Sequence, residues 1–112
     1  MNDKPKESDW KRFRDMVPEL RERYLVKCNA DLVELLQDGA STATERFWEA
    51  EKRLGKEAGI LRNCLDGHTR SQMFRFMLLM YRHQMLVEKD LEHFSEELRQ
   101  GILRGAGTLG DC

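Results

Sequence analysis

The chain has 112 residues, 35% of them charged, and a net charge of −1. This length fits one domain that can bury a core without disulfide or metal staples. The balanced charge supplies no global field for nucleic acid or an acidic substrate. No stretch approaches about 18 uninterrupted apolar residues, so no transmembrane helix is expected. The polar opening MNDKPKESD lacks an apolar signal-peptide core, which points to a cytoplasmic protein. Three widely spaced cysteines, Cys28, Cys64 and Cys112, read as reduced thiols rather than a disulfide framework.

The pattern predicts an all-α fold, a three- to four-helix bundle. Apolar residues recur with a helical period four times, and neither a hairpin turn nor an alternating β-branched run is present. Residues 1–8 are expected to be disordered, 9–104 to form a single helical domain, and 105–112 to be a flexible glycine-rich tail.

The first predicted element runs from Asp9 to Gln37. Trp10, Phe13, Val17, Leu20, Tyr24, Cys28, Leu32 and Leu35 share one face, with Met16, Leu25 and Leu36 beside it. Pro18 lacks an N–H and clashes with the preceding turn, so it kinks this helix or splits it in two. The apolar face keeps its phase across Pro18, which favours the kink. Asp38-Gly39-Ala40 ends the element.

Thr42 and Glu45 then form a capping box that opens a second helix. Phe47, Ala50, Leu54, Ala58, Leu61 and Leu65 follow at spacings of three and four, as in a coiled-coil seam. Gly55 and Gly59 weaken this helix unless close packing requires them. Gly67 is a fitting stop.

The third element, TRSQMFRFMLLMYRHQML, holds four of the six methionines and no acidic residue. Thr69 and Gln72 offer a second capping box. Apolar side chains cover the wheel except for a strip carrying Arg75 and Arg82. A helix apolar nearly all round is a buried one, so this is the expected centre of the bundle. The fourth element is read as one helix, Glu88 to Leu103, with the stripe Leu91, Phe94, Leu98 and Ile102. The short link before it predicts antiparallel neighbours.

No pattern carries catalytic chemistry. Cys64 and His68 stand four apart, but Gly67 interrupts the helix between them and two ligands do not make a zinc site. No metal, cofactor or catalytic residue is assigned. The basic strip of Arg70, Arg75 and Arg82 gives an alternative reading as a nucleic-acid surface, although helix three lacks the polar outward face of a recognition helix. The main reading is a small, non-catalytic interaction or regulatory protein. Its neighbours are too few to cover helix three, which predicts a homodimer. The expected interface comprises Phe74, Met77, Leu78 and Tyr81 of helix three with Phe47 and Leu54 of the helix-two seam.

Overall fold

A computed structural model describes residues 6–109, with side chains up to Ala106. It is all-α. In chain order the elements are α1 (Glu7–Leu36), α2 (Ala43–Leu65), α3 (Met73–Arg82), the 3-10 helix η1 (Glu88–His93) and α4 (Glu96–Leu109). No strand occurs among the described residues.

The N-terminal helix is continuous, with Pro18 inside it, so the two-helix alternative is removed. Pro18 lies on the exposed side, where water can satisfy the carbonyl that its missing N–H leaves free. A tight turn then reverses the chain. The Asp38 carboxylate accepts from the Ala40 N–H, and Arg46 donates to the Asp38 carbonyl. The capping box forms as the sequence predicts: the Thr42 hydroxyl accepts from the Glu45 N–H, and the Glu45 carboxylate accepts from the Thr42 N–H. α2 returns along α1 as a hairpin. It ends at Leu65, and the chain turns away at Gly67, whose φ of 74° suits a residue without a Cβ. A Cβ at Gly55 or Gly59 would meet no atom within 4 Å, so packing inside the protomer requires neither glycine.

The core lies at one end of this hairpin. Phe13 and Leu20 of α1 and Cys64 of α2 meet Met73, Phe76, Met77 and Met80 of α3, all buried. Helix three is therefore central, but shorter than its apolar run. The Gln72 N–H donates to Thr69 Oγ1 in a turn that precedes α3 rather than capping it. After Arg82 the chain turns at Gln84, the only non-glycine residue with positive φ (62°) among those described. The Met85 and Leu86 N–H groups both donate to the Met80 carbonyl. This turn drives Met85 and Leu86 into the core, where both are almost fully buried.

The fourth segment corrects the sequence reading. It is two elements, η1 and α4, broken at Phe94 and Ser95. Phe94 turns inward, and the Ser95 hydroxyl accepts from the Leu98 N–H to start α4. The buried Asp9 of α1 accepts from both the Ser95 N–H (2.9 Å) and hydroxyl (2.6 Å). The residues of the predicted stripe do pack inward; only the single helix through them fails. Because η1 carries the chain back along α1, α3 and α4 run parallel, not antiparallel. A Cβ at Gly101 would lie 3.1 Å from the Phe74 ring, and one at Gly105 2.7 Å from Leu78 Cδ2. Both pairs advance by four residues in the same direction, so the glycines let α4 approach α3 closely. α4 runs through Gly105 and Gly107 to Leu109; the last residues of the expected tail, 110–112, lie outside the described chain.

Arg23 ties α1 to the return segment. It donates to both carboxylate oxygens of Asp90 (3.1 and 2.6 Å) and to the Met85 carbonyl (3.1 Å). Burial opposes ionisation of Asp90, but the Arg23 hydrogen bonds, the Val87 N–H and the Arg23 charge outweigh it and hold the carboxyl below its usual range.

The strained turn is testable. A left-handed residue with a Cβ costs roughly 1–2 kcal/mol. Gln84→Gly should therefore raise unfolding stability by about 1 kcal/mol, less the entropy that glycine adds to the unfolded chain. Denaturant titration measures it; a destabilised variant would mean that the Gln84 side chain holds the turn.

Candidate functional site: an apolar face on the helical hairpin

The residues expected at an interface separate into two groups. Met77 is fully buried in the core cluster and offers no surface on the protomer, which corrects its place in the expected interface. Phe74 and Leu78 pack against the glycines of α4, and Tyr81 is half-buried. Phe47 and Leu54 are exposed. Among the described residues the exposed large apolar side chains therefore lie on the hairpin, apart from Val87, while those of helix three are buried or half-buried.

Its position follows from two heptad rows. In α2, Ala50, Glu57 and Cys64 turn toward α1. Ala50 and Cys64 are buried, and the Glu57 carboxylate accepts from the Tyr24 hydroxyl (3.1 Å) and the Cys28 thiol (2.8 Å). Phe47, Leu54 and Leu61 stand three residues before each of these, about 60° around the helix. In α1, Cys28 and Leu35 belong to the contact row, and Leu25 and Leu32 stand three residues before them. The helices are antiparallel, so equal rotations in one sense bring both flanking rows to the same side of the hairpin. Leu36 joins that side, while Val26, Val33 and Trp48 form its outer edges. These residues are apolar, and the exposed Glu51, three residues from both Trp48 and Leu54, stands among them. The opposite side of the arm carries Lys27, Asp31, Glu34, Glu49, Arg53 and Lys56, all exposed.

This face is open. Fractional exposures are 68% for Val26, 53% for Val33, 50% for Leu36, 59% for Phe47, 60% for Trp48 and 54% for Leu54. Phe47 and Trp48 stack edge to face with ring centroids 4.9 Å apart. At roughly 100 Å² for each half-exposed side chain, the six present on the order of 600 Å². That is the upper end of what a monomer ordinarily leaves open, about 300–600 Å².

The other candidates are structural. The His68 ring packs between Phe13 and Phe76, at 4.9 and 4.5 Å, and its Nε2 bonds the Cys64 carbonyl at 2.7 Å rather than meeting the thiol. No group of three or more His, Cys, Asp and Glu side chains converges as a metal site among the described residues. Arg70 pairs with Glu7 at 2.7 Å, and the Arg75 guanidinium lies 6.0 Å from the Phe76 ring. Arg82 edges a cleft of about 390 Å³ with Leu78, Tyr81, Leu86 and Val87. Of these arginines, only Arg75 and Arg82 share a helix, one heptad apart. Among the described residues, no helix is long and apolar enough to cross a membrane.

The thiols are not activated nucleophiles. Burial, and then the neighbouring Glu57 carboxylate, push Cys28 up to about 11, and burial alone does the same to Cys64. Labelling of Cys28 and Cys64 should thus be slow in the native protein at neutral pH. Its rate should still be climbing between the ordinary value of 9.0 and about 11, whereas a plateau by pH 9 would contradict the burial. The unfolded chain ionises these thiols first, so their stabilising contribution is full below pH 9.0 and falls as pH rises toward about 11. Cys112, expected from its place in the tail to react fast, lies outside the described residues.

Neither a family model, nor a curated protein, nor a solved structure matches this chain.

Proposed function

We propose that this chain is a small, non-catalytic interaction or regulatory protein that works as a homodimer in the cytoplasm. The hairpin face is its contact surface. The observation that carries this reading is the exposure of five large apolar side chains on one arm, Phe47, Trp48 and Leu54 on α2 beside Val33 and Leu36 on α1. With the half-buried Leu25, Leu32 and Leu61 added, the surface nears the roughly 800 Å² that each partner buries in a standard interface. A second copy is the favoured occupant because one self-complementary patch then covers both chains.

The nucleic-acid alternative draws less support. Arg70 is engaged by Glu7. Arg75 and Arg82 lie about 10 Å apart along α3. Two such charges neutralise few phosphates and give weak binding with a shallow salt dependence.

Sedimentation at micromolar concentration tests the proposal. The wild-type protein should run at twice its 13.2 kDa mass. Leu54→Asp combined with Trp48→Ser should run as a monomer, with unchanged helical circular dichroism, because both side chains are exposed in the protomer. A wild-type monomer across this range would sink the reading.

A further inference from the structure

We propose that the two arms pair antiparallel, α2 against α2, about a twofold axis at Leu54, and so complete a four-helix bundle. This inference rests on the self-association proposed above and specifies its geometry. Phe47, Leu54 and Leu61 are evenly spaced, one heptad apart. Reversing the row about Leu54 places Phe47 of one copy against Leu61 of the other and Leu54 against itself. Half-buried Leu61 sits at the inner end of the row and the exposed Phe47 at its outer end. The pairing therefore sets the most protruding side chain of one copy over the most recessed position of its twin.

Charge decides against the parallel alternative. Arg21 and Arg62 are exposed at the root of the arm, where α1 and α2 reach the same level. Parallel arms would bring four guanidinium groups to one level, where like charges oppose pairing. The tip is acidic: Asp38, Glu45 and Glu51 are exposed there, and Arg46 is turned to the Asp38 carbonyl. An antiparallel pair centred on Leu54 brings Arg62 to the level of residue 46 of the second copy, at the acidic tip where Glu45 caps α2. Opposite charges then flank an apolar centre at both ends, an arrangement that fixes register. The body of the protein leaves room for this. α3 and η1 lie on the other side of the hairpin, where Phe13, Leu20 and Arg23 point.

Site-directed crosslinking in a Cys112→Ser background tests the arrangement; Cys28 and Cys64 are buried and contribute little background. A short bismaleimide should join Leu54→Cys chains to each other. It should also join Phe47→Cys to Leu61→Cys in a mixture of the two variants. It should fail to join Phe47→Cys to itself, since those positions would lie about 21 Å apart along the axis. Efficient Phe47→Cys self-crosslinking with no mixed product would mean parallel arms and overturn the inference. A dimer by sedimentation that crosslinks at none of these positions would overturn it too, placing the contact on another face. Monomeric wild-type protein would instead remove the self-association on which the inference rests. Each variant changes an exposed or half-buried position, and its circular dichroism checks that the fold is retained.

Discussion

The organising constraint is a mismatch of helix lengths. α1 has 30 residues and α2 has 23, about 45 and 35 Å, whereas α3 has 10, about 15 Å. The later segments hold enough apolar mass to cover one end of the hairpin and no more. The molecule measures 53 × 28 × 23 Å with a radius of gyration of 16.5 Å. A compact chain of this length has a radius near 13 Å. The difference is the arm that projects beyond Tyr24 and Glu57.

At the covered end, the short third helix concentrates burial. Met73, Met77 and Met80 fill the space between the other helices, as flexible thioether side chains do. The price of ending α3 early is the strained turn at Gln84, which places Met85 and Leu86 beneath η1. Polar ties then fix the return path: Arg23 to Asp90 and Met85 at one level, Asp9 to Ser95 at the other. Both ties begin on α1, so the long helix serves as the rail along which the second half of the chain is registered.

On the arm, the residues are distributed against intramolecular stability. The α2 row that meets α1 consists of Ala50, Glu57 and Cys64, one of them a carboxylate that must be satisfied by Tyr24 and Cys28. The larger apolar residues, Phe47, Leu54 and Leu61, occupy the next row. A hairpin optimised for its own stability would place the bulky row inside. This inversion is the physical reason for reading the exposed row as a contact surface, since the area it leaves to water is costly in a lone protomer.

Much of this was legible in the sequence. The 3.6-residue period gave the helical class, Thr42 and Glu45 marked the start of α2, and the apolar residues of the fourth segment were the ones that pack. Ser95 before two glutamates was a start signal for α4, and Gly101 with Gly105 was a close-packing signal; both went unread behind the longer apolar stripe. These are local features, set by backbone geometry and side-chain period, and one chain segment is enough to express them. Which face of α2 meets α1, which way α4 runs beside α3, and that Met77 is interior while Phe47 and Leu54 remain outside were decided only by the tertiary structure. Each depends on the rotation and relative length of helices distant in sequence, and the period of a single helix carries neither.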